Sequence, residues 1–233
     1  MKAMIIVFAG TVGVGKSTHT KLAWEHIQRM GVKKCIFLQI SAFSGLGSGL
    51  YRYICKKILR HLENNALWVA FKVKVLLLLD VVSISSYILP LLLILEKFLD
   101  YTLIIEDYFQ TILMDYLHVT SNWYRRKYLS DKLSFNKSIL TRISILMCIK
   151  LLRKFPPDIL FMLDADDLEL DKRLKNRNSF NEHPSYIKFR RETLMKLCML
   201  TKARTIVYVN SSNKTIKHTH YEIVKALGSI KNG

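Results

Sequence analysis

Residues Gly10 to Thr18 read GTVGVGKST, and Gly10, Gly15, Lys16 and Ser17 stand in the G-x-x-x-x-G-K-[ST] spacing of a phosphate-cradling loop. A polyphosphate is densely negative and needs several backbone N–H donors converging on it. Glycines at Gly10, Gly13 and Gly15 let the chain curl tightly around such a group, with Val14 carried between them. In this motif Lys16 acts as a mobile point charge on the outer phosphates, and the Ser17 hydroxyl joins the shell of a Mg²⁺ ion. A helix opening near Lys16, with Thr18 in its first turn, adds unpaired N–H groups and a favourable dipole. The chemistry implied is binding of a nucleoside triphosphate with Mg²⁺, ATP first among the candidates.

The elements that must position this loop are legible around it. Residues 3–9 (AMIIVFA) are apolar and suit a strand, and Leu22, Ala23 and Ile27 follow at helical spacing. Residues 32–40 suit a second strand, 41–49 a Gly- and Ser-rich connection, and 50–62 a helix. Three more short apolar runs occupy residues 101–105, 159–163 and 205–209, and a last helix is expected over 216–227. Short, wholly apolar strands alternating with helices predict a parallel sheet covered on both faces. In that architecture ligands gather at the carboxyl ends of the strands. Glu106 and Asp107 follow one strand and Asp164 another, so all three are candidates for that edge. On an extended strand Glu106 and Asp107 point to opposite faces, and Glu106 is the one assigned to the metal or the acceptor. Asp164 is a candidate water-mediated Mg²⁺ contact or a helix cap. Asp166, Asp167 and Glu169 suit a helix start.

Arg173 and Arg177 are four residues apart and share a face of any helix that carries both. Cations closing over a triphosphate stabilise the charge spread over a transferred phosphoryl group. Arg190 and Arg191 are weaker candidates for that task, and His19 reads as an outward or packing residue. No covalent nucleophile is required, because an acceptor oxygen can attack the γ-phosphate in line.

Composition limits the other readings. A chain of 233 residues fits a single large domain, taken as 1–233 with no linker or repeat. The 4 cysteines are scattered with no C-x-x-C pair, which argues against zinc and for reduced thiols in the cytoplasm. The N-terminus enters the first strand with no export pattern. The net charge of +18 would attract nucleotides and could hold nucleic acid nonspecifically. No base-reading motif accompanies it, so no obligate nucleic-acid partner is expected. Residues 73–95 are nearly long enough to span a bilayer, but Asp80 and Pro90 interrupt them, and a buried helix is the preferred reading over a membrane span.

With these residues in view, the chain resembles the thymidylate kinase branch of the nucleoside monophosphate kinases. The phosphate loop ends in GKST, residues 157–173 (PDILFMLDADDLELDKR) resemble that family's P-D-hydrophobic-LD strand and lid entry, and residues 180–200 resemble the helix after the lid. The resemblance implies a three-layer α/β/α P-loop nucleotide kinase fold with a central parallel sheet, and a lid near 168–185. It also implies transfer of the ATP γ-phosphate to a (deoxy)nucleoside monophosphate, dTMP first among them, and a homodimer assembled through the apolar 73–95 region. Lys16, Glu106, Arg173 and Arg177 would be catalytic; Ser17, Glu106 and Asp164 would serve the metal. The family's D-R-Y motif aligns with Glu106, Asp107 and Tyr108, and Thr111 matches its serine. Asp107 thus stands where the family has arginine, residues 41–45 hold no arginine, and Val81 follows Asp80 where another arginine is usual. Arg52, Arg125 and Arg126 are the available replacements, and with Tyr108 and Thr111 they form the expected acceptor site. The altered motif leaves two alternatives open: a deoxynucleoside kinase, whose acceptor carries no phosphate, or an ATP-binding protein without turnover that has an anionic partner.

Overall fold

The computed structural model describes residues 3–32, 34–39, 89–119, 139–176 and 184–231. Five strands, β1 (Ile5–Gly10), β2 (Cys35–Gln39), β3 (Thr102–Glu106), β4 (Ile159–Asp164) and β5 (Thr205–Asn210), form one sheet in the order β2-β3-β1-β4-β5. All neighbours are parallel, with Ile6 opposite Ile104 on one side and Ile159 on the other. Among the described residues the helices before β4 are α1 (Lys16–Arg29), α2 (Leu89–Leu93, running into a π-helical stretch Ile94–Phe98), α3 (Phe109–Val119) and α4 (Ile139–Lys154). After β4 come α5 (Asp167–Asn176), α6 (Pro184–Leu200) and α7 (Ile216–Lys231). The expected three-layer arrangement of helices around a parallel sheet is what forms.

The two-residue pleat divides the core. Ile5, Val7, Ala9, Leu103, Ile105, Leu160 and Met162 face one side, where α3, α4 and α6 bury Phe109, Ile112, Cys148, Leu152, Leu194 and Leu197 against them. Ile6, Phe8, Ile104, Phe161, Leu163 and Val209 face the other, under Ala23 and Ile27 of α1, Leu170 and Leu174 of α5 and Ile223 of α7. Phe8 and Phe161 stack across adjacent strands with ring centroids 4.8 Å apart. Strands β1, β3 and β4 are buried along their whole length because both faces are covered. At the edge, β5 exposes Ile206 and Tyr208.

Among the described residues no helix is long and apolar enough to cross a membrane. Residues 73–88 of the apolar run, residues 41–62, Arg52, Arg125, Arg126 and Arg177 lie outside the described residues.

Candidate active site

The turn between β1 and α1 depends on missing side chains. A Cβ on Gly10 would lie 2.6 Å from the Leu163 carbonyl oxygen and 2.7 Å from Val14 Cγ2, so only glycine lets β1 run this close to β4. Gly13 and Gly15 hold φ values of 87° and 91°, in the left-handed region. Gly15 is the cap residue of α1 and has no side chain to occupy the helix's first N–H groups, so these are presented toward the loop. Helix α1 begins at Lys16, so the lysine and Ser17 sit in its first turn.

Two carboxylates from the end of β3 meet those two residues. Ser17 Oγ donates to Glu106 Oε1 at 2.5 Å. Lys16 Nζ lies 3.4 Å from Asp107 Oδ1, with both side chains about nine-tenths buried. The Thr111 hydroxyl donates to the same Asp107 oxygen at 3.0 Å. Strand alternation would have sent neighbouring side chains apart; instead the strand ends at Glu106, and Asp107 adopts φ 61°. That left-handed residue reverses the alternation, so both acids face the phosphate loop. Asp107 is the contact that reasoning from an extended strand misses.

Asp164 ends differently. It shares its pleat side with Leu160 and Met162, away from α1, and is almost fully buried. Its carboxylate takes Arg191 Nε at 2.8 and 3.0 Å, Arg191 Nη2 at 2.9 Å and the Tyr208 hydroxyl at 2.7 Å. Arg191 also donates through Nη1 to Asp167 at 3.1 Å, which ties α6 to the start of α5. The expected metal contact is therefore on the sheet face opposite Ser17 and Glu106, engaged by an arginine. Arg191 has no sequence signal beyond its charge, because its partner is 27 residues away. Tyr108, expected at the acceptor, is wholly buried and donates to the Phe155 carbonyl at 3.1 Å, and burial pushes its hydroxyl well above the usual phenol range. Its ring belongs to the core because α3 and α4 close over it.

Arg173 reaches back to the loop. It pairs with Glu169 at 2.8 Å, donates to the Ser211 carbonyl at 2.8 Å and the Ser211 hydroxyl at 3.1 Å, and approaches the Gly13 carbonyl at 3.5 Å. It walls a cleft of about 380 Å³ bounded by Gly13, Gly15, Thr18 and His19 on one side and by Lys214, Thr215, Ile216 and Thr219 on the other. His19 is buried here rather than outward. Burial first, then His220 and Arg173, lower its pKa to about 4. Its ring stacks on His220 of α7 with centroids 6.4 Å apart.

The donor set suits Mg²⁺ and a triphosphate. Ser17 and Glu106 offer hard oxygen ligands, Mg²⁺ normally takes only one or two protein oxygens plus phosphate and water, and Gly13 and Gly15, both at positive φ, let the loop backbone curl around a phosphate. Among the described residues there is no cluster of three or more His, Cys, Asp or Glu that could form an all-protein metal cage.

Sheet order, phosphate loop and paired acids together define a P-loop kinase-type fold. No protein-family model matches the chain, and no curated protein does. Among solved structures, a thymidylate kinase from Candida albicans superposes with TM-score 0.65 at 16% identity, covering 99% of this chain and 93% of that one. A thymidylate kinase from Ehrlichia chaffeensis gives TM-score 0.50 at 17% identity, covering 97% of this chain and 100% of that one. The chain has the thymidylate kinase fold.

Proposed function

We propose that this protein is a Mg²⁺-dependent phosphotransferase that moves the γ-phosphoryl group of ATP to a nucleoside-type acceptor. The observation carrying this is the pairing of Lys16 with Asp107 and of Ser17 with Glu106 at the mouth of the phosphate loop. The loop amides and Lys16 would hold the phosphates, and Ser17 and Glu106 would hold Mg²⁺, which would supply neutralisation of phosphate charge. Arg173 stands over the loop, held by Ser211, and flanks a cleft of suitable size for the donor's base and ribose. The family resemblance names a (deoxy)nucleoside monophosphate, dTMP above all, as acceptor. Asp107 favours a second reading, an unphosphorylated deoxynucleoside, because it sets a negative charge beside the transferring group.

A coupled assay for ADP across nucleosides and nucleoside monophosphates, with Mg²⁺, tests this. Acceptor-dependent ADP formation is expected. A folded protein that binds ATP yet forms no ADP with any acceptor would end the enzyme assignment. Cytoplasmic residence and a homodimer belong to the same reading. The exposed Leu91, Ile94 and Phe98 support a dimer through the region of α2, and sedimentation should show a species near twice 27.2 kDa.

A further inference from the structure

Helices α1 and α7 lie on the same face of the sheet, where Ile27 and Ile223 share a core. A hollow of about 170 Å³ remains between their last turns, at the amino end of β1 and so at the opposite edge of the sheet from the phosphate loop. Its walls are Met4 and Ile6 at the start of β1, Ile27 and Met30 at the end of α1, and Val224 and Leu227 of α7. Close-packed interiors seldom leave a void of this size. An apolar cavity of roughly 150 Å³ stays dry and takes up a benzene ring, so this hollow suits a ring better than water. A nucleotide needs about twice the volume or more.

A glycine at the rim points the same way. Gly228 lines the hollow from within α7, where glycine costs helix stability. Neither backbone nor packing requires it: its φ lies outside the left-handed region, and a Cβ built there meets nothing within 4 Å. Gly10 is the opposite case, since a Cβ there would strike the Leu163 carbonyl oxygen at 2.6 Å. A side chain at Gly228 would occupy only the open space at the hollow's edge. The lining sets the chemistry of an occupant. Among the described residues on the wall, none is Lys, Arg, Asp or Glu, and His26 carries the one polar side chain. The last turns of α1 and α7 are the negative ends of their helix dipoles, which disfavours an anion. The thioethers of Met4 and Met30 adapt to ring faces and edges, and His26 can hydrogen-bond a single polar substituent.

We propose that the hollow between α1 and α7 is a binding site for a small neutral molecule, an aromatic ring of one or two fused cycles with at most one polar substituent. The site is separate from the donor cleft, which lies at the other ends of the same two helices. It does not depend on the phosphotransferase reading, and the ligand is held without any covalent step.

The probes are phenol and indole, titrated against the full chain by calorimetry and by NMR with carbon-13 labels in the methionine methyls. Saturable binding is expected, with shifts at Met4 and Met30 and none at Met199, which is exposed at the end of α6. Benzoate, an anion of similar size, should bind at least about 10-fold more weakly than phenol. Gly228→Leu and Val224→Phe place new side-chain atoms at the hollow and should each weaken both rings by about 10-fold or more, as overfilling does. Gly228→Leu should melt no lower than wild type, because it also removes a helix glycine. An excess of ATP should displace neither ring. No saturable binding to the folded protein, binding that leaves Met4 and Met30 unshifted, displacement by ATP, benzoate binding as tight as phenol, or undiminished affinity in both variants overturns the proposal. Should Val224→Phe fail to fold, Gly228→Leu and the methyl shifts decide.

Discussion

The ends of β3 and β4 look alike in sequence, each an apolar run closed by acid, yet they do different work. Glu106 lies on the α1 side of the sheet with Ile104 and meets Ser17; Asp164 lies on the α6 side with Leu160 and Met162 and meets Arg191. One residue of pleat parity separates a carboxylate at the phosphate loop from one that fastens α6 to the end of β4. Position at a strand's carboxyl end marks the ligand edge of the sheet. Strand parity, and at Asp107 a left-handed φ, decide which acids on that edge face the phosphate loop.

Substitutions should separate the two ends. The largest effect on stability is expected from Arg191→Ala, which leaves Asp164 buried with Tyr208 as its remaining partner at 2.7 Å. Breaking a buried pair costs about 3 kcal/mol or more, and Arg191 itself is partly exposed, so about 3 kcal/mol is expected in chemical denaturation. The ATP affinity of the folded fraction should stay within threefold of wild type. A larger loss of affinity would mean the β4 end serves the nucleotide after all. Next, Lys16→Ala removes charged hydrogen bonds to phosphate, each worth about 1.5–3 kcal/mol, and should weaken ATP binding by roughly 10- to 100-fold. Unchanged affinity would remove Lys16 from the donor site.

The smallest effect distinguishes the faces by acid. His19, on the α1 side, has its pKa lowered from 6.5 to about 4. The unfolded chain therefore binds a proton that the folded chain resists, so stability is complete above pH 6.5 and falls as pH drops toward 4. At pH 5 the loss from this one group is about 2 kcal/mol. His19→Gln should flatten that part of the stability profile, measured by melts between pH 7 and pH 5. If the variant loses as much stability as wild type, His19 is not the titrating group.

Much of this site follows from local sequence. Strand, glycine turn and helix are encoded within residues 3–30, because each depends on contacts a few residues apart and on glycine's backbone freedom. Glu106 is identifiable as a strand-end acid for the same reason. Asp107 is not, because its direction is set by a single left-handed φ that aspartate tolerates without announcing it. Tyr108 reads as a residue of the acceptor site until α4 is seen to cover it.

The sequence by itself determined the phosphate loop, the alternation that makes a parallel sheet, and the acids along its carboxyl edge. Those depend on residue type and short spacing, which a linear chain displays directly. Tertiary structure decided the partners: Asp107 with Lys16, 91 residues apart in number, Asp164 with Arg191, and Arg173 with Ser211 over the loop. Each pairing requires two distant elements to pack at a particular parity and angle, and those are settled by how the core closes.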